Sequence, residues 1–464
     1  MSPFEEESIY RLLWKYCIPA MIGMAVQGVT NIITGIFLGR VLGPDALSAV
    51  QYATPFQVIT IAFGTLVGVG SAALVSLRLG KKSHQDAEET IGNALILTLT
   101  LCSAEIILQL IFLAPLLRLS GAQGAVFDMA WTYTFITVAS SIFANIGFGF
   151  NNIIRAEGNP RVAMNSVITV ALSSVALNWL FIVWLQWGAV GAGLSVAISN
   201  LILAVWVMGF FFTKKSLLRF HWNTLRLRKR TVLPILRIGL APWTMQATAC
   251  IQAAVLNYQL SHFGGQDAVA IMGVVIRISL IVFMLITGLS QGAQPIIGYN
   301  YGAEQWGRVR QAFGGAIVGA TVISTIGFAI IMLFPREVMS IFLTEEHQHL
   351  LNDGVPALRI CLLMMATSGY QIVSVSYFQA IGRPGFSICL TIMRRLGFLT
   401  PLLLILPHFW SITGCWSAYA IADGAAAIVI AILIAWEMGR LTVQPKPEEL
   451  KSEKTLINIS EDLY

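Results

Sequence analysis

Residues 155–160 read Arg-Ala-Glu-Gly-Asn-Pro, and residues 379–384 read Gln-Ala-Ile-Gly-Arg-Pro, which repeats the framework 224 positions later. Further pairs agree at offsets of 222 or 223: Pro19 with Pro242, Asp45-Ala46 with Asp267-Ala268, Gly70 with Gly292, Gly80 with Gly302 and Gly191 with Gly414. Solenoid repeats recur roughly every 20 to 50 residues, so this period predicts two similar lobes. Because the matches fall mainly on Gly and Pro, which fix helix ends and close packing, the lobes are expected to share a backbone plan.

The composition places these lobes in a membrane. Of the 464 residues, 56% are hydrophobic and 11% are charged, whereas soluble domains carry roughly 25% charged residues. Apolar stretches recur along the whole chain, each near the roughly 20 residues that span a bilayer. Twelve spans are predicted, at 16–38, 47–77, 91–117, 128–152, 162–185, 190–213, 233–260, 269–299, 311–335, 355–380, 386–407 and 414–438. The predicted fold is an all-α polytopic membrane protein with two six-helix lobes.

The net charge of +6 indicates the orientation of the chain in the membrane rather than a nucleic-acid partner. With both termini in the cytoplasm, the inner loops and tails contain 21 of the 29 Lys and Arg residues, and the outer loops contain 3. This bias follows the positive-inside rule and supports an even number of spans. Since six spans precede the second lobe, the lobes are predicted to be parallel repeats. The expected location is the plasma (inner) membrane.

Four segments follow from this pattern. They are an N-lobe at 1–213, a basic cytoplasmic linker at 214–232, a C-lobe at 233–440 and a tail at 441–464. The linker either contacts anionic lipid or only carries inner-loop charge, and the polar tail is expected to be disordered. The six Cys residues lie in apolar stretches without a C-x-x-C pair or metal-ligand spacing, which predicts free thiols, no metal site and no cofactor.

Several motifs, in order along the chain, resemble the multidrug and toxic compound extrusion (MATE) transporters. Residues 155–164 (RAEGNPRVAM) are similar to the family's loop after span four, and residues 288–303 (GLSQGAQPIIGYNYGA) to its end of span eight, especially in the DinF-like and staphylococcal multidrug branch. Residues 68–80 and 416–423 resemble its second and twelfth spans. The resemblance implies a protein that exports amphipathic, often cationic compounds in exchange for H⁺ or Na⁺. The protein is also expected to be non-enzymatic and monomeric.

Two acidic positions of the family's motifs are absent from this chain. Where span one of many members reads Asn-Ile-Val-Asp, residues 31–34 read Asn-Ile-Ile-Thr, so that Thr34 replaces the acid. Where span five often reads Leu-Asp-Pro, residues 177–179 read Leu-Asn-Trp, so that Asn178 replaces a second acid. The N-lobe therefore lacks the carboxylates on which family coupling is often based, and coupling is expected chiefly in the C-lobe.

Of the 23 acidic residues, only Glu105 and Asp423 lie deep within predicted spans. A charge at bilayer depth is costly and suggests a functional role, and burial favours the neutral carboxyl, so such a group can exchange a proton. Both are candidate ion-coupling residues, with Asp423 favoured. Arg277 lies at nearly the same depth as Asp423, about 12 Å from the outer end of its span, and a salt bridge or a short polar network between them is expected. Alternatively, Asp423 only neutralises Arg277, and Glu105 only completes an internal polar contact.

Neutral polar residues suggest a substrate cavity between the lobes. They are Gln27, Asn31, Thr34, Asn178 and Asn200 in the N-lobe, with Gln246, Asn257, Tyr370 and Gln371 in the C-lobe. Any one of them also fits an ordinary hydrogen bond between helices. As a set they fit a large cleft with few fixed charges.

Two other functions remain open at this point. A flippase of lipid-linked sugars, or an exporter of other large metabolites, would need a strongly basic cavity. Only Arg277, Arg359, Arg394 and Arg395 are placed to supply one. A membrane enzyme would need a nucleophile, a metal or paired carboxylates at a membrane face, and no predicted loop supplies such a set.

Overall fold

The structure is a computed structural model that describes residues 4, 7–221, 224–342 and 350–441. The predicted tail at 441–464 lies outside the described residues apart from its first position. The helices are α1 (Ile9–Phe37), α2 (Pro44–Gly80), α3 (His84–Leu119), α4 (Gly124–Ala139), α5 (Ser141–Ala156), α6 (Pro160–Asn178), α7 (Gly188–Phe211), α8 (Lys229–Gly302), α9 (Trp306–Leu333), α10 (Pro335–Ser340), α11 (Leu351–Cys361), α12 (Ser368–Ala380), α13 (Pro384–Ile392), α14 (Thr400–Ile405) and α15 (Pro407–Arg440). Three π-helical turns, Leu38–Leu42, Trp179–Trp184 and Met393–Leu399, continue α1, α6 and α13.

Within the described ranges, nine helices are long and apolar enough to cross a membrane, and two bent pairs raise this number to eleven. The pairs are α4 with α5, bent by 46°, and α11 with α12, bent by 41°. The 74 residues of α8 would measure roughly 110 Å in one straight helix, whereas a bilayer core is about 30 Å thick. Gly265, at φ 65° and ψ −159°, interrupts α8. Because α8 therefore contains two spans, the total is the predicted twelve.

The loop that defines the repeat has the same backbone in both halves. Gly158 and Gly382 take positive φ values of 115° and 73°, which glycine adopts without steric cost. In both copies, the N–H group of the next residue donates a hydrogen bond to the carbonyl five positions earlier, at 3.0 and 2.9 Å, as in the Schellman helix ending. Pro160 and Pro384 then begin the following helices. The residues kept in both halves are those that this turn requires.

The structural repeat extends to positions where the residues differ. Lys82 and Glu304 lie 222 positions apart and take φ values of 59° and 58°. Gly188 and Ser411 lie 223 positions apart and take φ values of 59° and 47°. The two parallel lobes thus share turns that the amino-acid identities alone do not reveal.

Glycines bring the two lobes together at the end of the bundle where α1 and α8 begin. Six of them contact the backbone of the opposite lobe, and four of these form matching pairs: Gly70 against Ile235 with Gly292 against Cys17, and Gly80 against Tyr299 with Gly302 against Leu77. Each paired contact has a counterpart in which the lobes are exchanged: the glycine about 222 positions away contacts the backbone of the first lobe. A two-fold arrangement of the lobes requires this. Since a Cβ atom at any of these glycines would overlap the opposite backbone, the lobes approach closely here. We call this region the closed end.

Candidate functional site

Asp423 forms its ion pair with Arg394. Asp423 lies on α15 and Arg394 on the π-helical turn Met393–Leu399. The Arg394 Nε atom donates to the Asp423 Oδ1 atom at 2.8 Å, and the side chains of Arg394 and Asp423 are 26% and 13% exposed. Arg277 is exposed on α8. The predicted Asp423–Arg277 salt bridge is therefore wrong.

The turn between the last two spans brings Arg394 and Asp423 to a similar depth. The helix α15 begins at Pro407 and is interrupted at Ser411, with φ 47° and ψ −132°. Arg394 lies 13 positions before Pro407 and Asp423 lies 12 positions after Ser411, so both are about 18–20 Å from the turn. Arg277 lies 12 positions after the break at Gly265, at a similar depth. Depth alone therefore did not distinguish the two arginines, and the helix face decides the partner.

Polar side chains from other segments surround the ion pair. The Gln371 amide donates to the Asp423 backbone carbonyl at 3.3 Å and to the Thr367 hydroxyl at 2.9 Å. The Gln252 amide on α8 donates to the Tyr419 hydroxyl, one turn before Asp423, at 3.0 Å. Arg395, half-buried, follows Arg394 directly. Asp423, Arg394, Arg395, Gln252, Gln371 and Tyr419 form a group that we call the C-lobe cluster.

Glu105 lies in a separate cluster inside the N-lobe. The carboxyl is 4% exposed, and its Oε1 atom accepts hydrogen bonds from the Thr60 hydroxyl, at 2.9 Å, and from the Gln109 amide. Among the described residues, no Lys or Arg forms a salt bridge with Glu105, and its buried Oε2 atom has no hydrogen-bond partner. The site between α2 and α3 therefore holds an acid with one free oxygen, where a proton can bind.

The two positions at which this chain lacks the family's acids lie next to each other. The Asn178 Nδ2 atom donates to the Thr34 hydroxyl at 3.2 Å, and Asn178 is fully buried. The Asn178 Oδ1 atom has no hydrogen-bond partner within the described chain. These two positions thus form a neutral hydrogen-bonded pair between α1 and α6.

The structure brings together only part of the predicted cavity set. The Tyr370 hydroxyl donates to the Ala427 carbonyl on α15 at 2.9 Å, so that Tyr370 and Gln371 both pack beside the C-lobe cluster. The remaining predicted residues are exposed or half-buried along their helices: Gln27, Asn31 and Asn257 are exposed, and Asn200 and Gln246 are half-buried.

Sequence reasoning missed several of these contacts. Arg394 was visible as an arginine within a span, but its pairing depended on which helix face it occupies. Thr60 and Gln252 carry no charge, and their positions in the sequence do not indicate which residues they contact. Arg155 of the N-lobe donates to the Gln291 side chain of the C-lobe at 2.8 Å. Both residues lie in the motifs that define the family resemblance, which was a usable signal.

Another buried carboxyl lies at the closed end, in the loop after α5. Glu157 is 1% exposed and accepts hydrogen bonds from the Ser216 hydroxyl at 3.0 Å and from the Asn159 amide at 3.2 Å. Ser216 belongs to the predicted linker, so this carboxyl attaches the linker to the N-lobe. Burial outweighs these hydrogen bonds and raises the pKa of Glu157 to about 7.

This raised pKa predicts a pH-dependent stability. The folded pKa exceeds the value of 4.5 expected without burial. The contribution of Glu157 to the free energy of unfolding is therefore greatest below pH 4.5, and it falls by up to about 3 kcal/mol as the pH rises to about 7. The Tm of the wild-type protein in detergent should decrease across this window. The Tm of Glu157→Gln should change less, while Glu304→Gln, which replaces an exposed acid at the same end, should follow the wild type. Parallel curves for wild type and Glu157→Gln would contradict the assignment.

Comparison with known proteins places this architecture among transporters. The MatE family model matches residues 19–180 and 245–403, one stretch in each half of the chain. A multidrug export protein MepA from Staphylococcus haemolyticus is 25% identical over 444 residues, which cover 95% of this chain and 96% of the relative. The protein of the same name from Staphylococcus aureus is 23% identical over 440 residues, with the same coverage.

Solved structures agree with these relatives. A MOP superfamily transporter from Pyrococcus furiosus, described as having a binding pocket of reverse polarity, superposes with a TM-score of 0.90 at 26% identity. The superposition covers 95% of this chain and 98% of that one. The outward-facing conformation of a multidrug resistance MATE family transporter also gives a TM-score of 0.90 at 26% identity, covering 94% and 98% of the two chains.

Proposed function

The chain belongs to the multidrug and toxic compound extrusion (MATE) family, and from this premise we propose that it exports amphipathic, often cationic compounds in exchange for H⁺ or Na⁺. The family match in both halves and the multidrug export proteins of similar length support this function. The proposed mechanism is alternating access, in which a cleft between the two lobes opens to one side of the membrane at a time.

We further propose that the closed end faces the cytoplasm of a plasma (inner) membrane. The excess of Lys and Arg in the predicted inner loops supports this orientation, since the closed end contains both the start of α1 and the linker. The shape also resembles a transporter described as outward-facing. In this orientation the chain, acting as a monomer, presents its cleft to the exterior.

The Asp423–Arg394 pair carries the coupling proposal. Two unit charges about 4 Å apart interact by about 4 kcal/mol at an effective dielectric constant of 20, so a cation that binds Asp423 weakens a substantial attraction. The Arg394 guanidinium is then free and increases the positive charge in the C-lobe. A cationic substrate nearby is repelled, so that ion and substrate compete, as antiport requires.

The N-lobe contributes mainly neutral surface to this mechanism. Thr34 and Asn178 offer hydrogen bonds without charge, and hydrogen-bonding side chains in an apolar cleft orient a ligand. Glu105 is the second coupling candidate, because its free oxygen lies in a cluster without a counter-cation. Its place between α2 and α3 separates it from the C-lobe cluster.

Reconstitution in proteoliposomes with separately imposed H⁺ and Na⁺ gradients tests the function. We expect one gradient alone to drive movement of a fluorescent cationic amphipath, and addition of the amphipath to release the coupled ion. Empty liposomes and liposomes without a gradient serve as controls. Equal uptake with and without both gradients would contradict secondary active transport.

A further inference from the structure

Arg78, at the end of α2 in the N-lobe, binds the first turn of α8 in the C-lobe. Its Nη1 and Nη2 atoms both lie 3.2 Å from the Thr231 hydroxyl, and Nη1 also donates to the Thr90 hydroxyl at 2.8 Å. Thr231 is fully buried and donates its own proton to Glu89 at 2.7 Å. Arg228 adds an ion pair to Glu89 at 2.6 Å. The start of α8 is thus attached to the opposite lobe by charged hydrogen bonds.

Arg308, in the first turn of α9 in the C-lobe, makes the reverse connection. Its Nη2 atom donates to the backbone carbonyls of Phe4 and Glu7, at 2.6 and 2.9 Å, immediately before α1. Its Nε atom donates to the Asn300 side chain at 2.9 Å. The segment that leads into α1 is therefore held by the C-lobe.

The two connections occupy equivalent places in the repeat, but the arginine has changed position. Asn300 lies 222 residues after Arg78, and Arg308 lies 222 residues after Asp86. In the N-lobe, Arg78 donates to the Asp86 carbonyl at 2.7 Å, and in the C-lobe, Arg308 donates to Asn300. Each lobe thus places one guanidinium at this corner, in contact with the partner lobe at or just before the start of its first helix. We call the two sets of contacts the Arg78 clasp and the Arg308 clasp.

We propose that the two clasps are the gate of the closed end, and that Arg78 and Arg308 are positioning residues that set how often this end opens. The inference rests on the proposed alternating-access function. For the cleft to open here, α1 and α8 must move away from the lobes opposite them, and each movement breaks one clasp. The glycine contacts define the closed geometry, whereas the clasps hold it with charged hydrogen bonds.

A thiol placed between the lobes reports opening without any transported substrate. Ser76 is 2% exposed, and a Cβ atom on Gly298 of the C-lobe would lie 3.0 Å from the Ser76 Cβ atom. In a full-length chain whose six cysteines are replaced by alanine, Ser76→Cys should react slowly with a membrane-impermeant maleimide. Adding Arg78→Gln or Arg308→Gln should raise the labelling rate about tenfold or more, since a hydrogen bond to a charged group is worth at least that factor.

The side of labelling and a matched arginine provide the controls. The increase should occur in inside-out vesicles and not in right-side-out vesicles, because the gate is placed at the cytoplasmic end. Arg161→Gln removes an exposed arginine from the same end and should leave the rate unchanged. Arg78→Lys and Arg308→Lys should restore little of the slow labelling of Ser76→Cys, because Lys lacks the planar guanidinium that reaches two acceptors. Unchanged labelling in both clasp variants would overturn the proposal, as would an increase from the opposite side only.

A cross-link separates gating from folding if the clasp variants yield little protein. Ser76→Cys with Gly298→Cys places two thiols across the lobes, near the Cβ separation of about 3.5–4.5 Å typical of disulfides. Oxidation should recover monodisperse Arg78→Gln protein by holding the closed end, whereas aggregation despite the cross-link would overturn the gate assignment. Because neither readout uses a drug or an ion gradient, a failure of the proposed transport activity would be recognised separately.

Discussion

Asp423→Asn is expected to abolish gradient-driven efflux while leaving drug binding measurable and insensitive to pH. The substitution keeps the shape and hydrogen bonding of the side chain but removes the group that binds the coupling ion. In the structure, this carboxylate pairs with Arg394 at 2.8 Å. A neutral residue at position 423 leaves that guanidinium permanently unpaired. The transporter then resembles the ion-loaded state at every pH and has no step at which the gradient acts.

The size of the driving force indicates how the assay should be set up. One proton exchanged for one monovalent cation moves no net charge, so only the pH gradient contributes, at about 1.4 kcal/mol per unit. A neutral drug, or two protons per cation, adds about 2.3 kcal/mol per 100 mV of membrane potential. Efflux by the wild-type protein and the variant should therefore be compared with the potential clamped at zero and then imposed.

A charge-balanced variant separates coupling from stability. Asp423→Asn alone leaves Arg394 and Arg395 without a counter-charge, and breaking a buried pair is destabilising. The double variant Asp423→Asn with Arg394→Gln removes one charge of each sign and should recover thermal stability but not efflux. Glu105→Gln should reduce efflux less than Asp423→Asn does. Wild-type rates in the double variant under a pH gradient would show that coupling lies elsewhere, with Glu105 as the next candidate.

The sequence was sufficient for the architecture because the fold depends on residues with few alternatives. Glycine at 158 and 382 satisfies a positive φ, and proline at 160 and 384 begins a helix, so both lobes retain them. Turns that tolerate other residues were not recognised. Ser411 takes a positive φ, as Gly188 does in the other lobe, at some conformational cost, and no sequence pattern marks it.

The site was less predictable, because side-chain partners depend on helix rotation and not only on depth. Glu105 and Asp423 were identified from the cost of a charge within a span. Arg277 and Arg394 were nearly equivalent by depth, and only their helix faces distinguish them. Thr34 was expected in the cavity, but its direct contact with Asn178 required the packing of α1 against α6.

The two lobes use one backbone plan for different chemistry. Asn200 lies 223 positions before Asp423, so the neutral amide of the N-lobe occupies the place of the C-lobe carboxylate. The C-lobe cluster has no charged equivalent in the N-lobe. A transporter with a two-fold arrangement of helices can therefore respond to an ion through one lobe while the other lobe supplies a neutral surface for the substrate.

Gly239→Ala is expected to disfavour the closed geometry of the lobes and to slow transport strongly. Gly239 lies on α8, and a Cβ atom there would overlap the backbone carbonyl of Leu66 on α2. Backbone cannot rotate away as a side chain can, and overpacking of this kind costs about 1–3 kcal/mol. The equilibrium should shift roughly 5- to 150-fold away from the closed geometry. Ser76→Cys in the same chain should then be labelled faster from the cytoplasmic side.

Gly273→Ala is the matched control, because Gly273 lies on the same helix and, apart from the adjacent backbone of that helix, no atom of the described structure lies within 4 Å of its added Cβ. Both substitutions raise helix propensity by about 0.8–1 kcal/mol, so this contribution cancels and the contact with α2 remains as the difference. Gly273→Ala should transport and label as the parent does. Equal behaviour of the two variants would mean that close approach at Gly239 is not needed for the transport cycle. A loss of transport without faster labelling would place the defect in the folding of α8, and folded yield by size-exclusion chromatography would identify it.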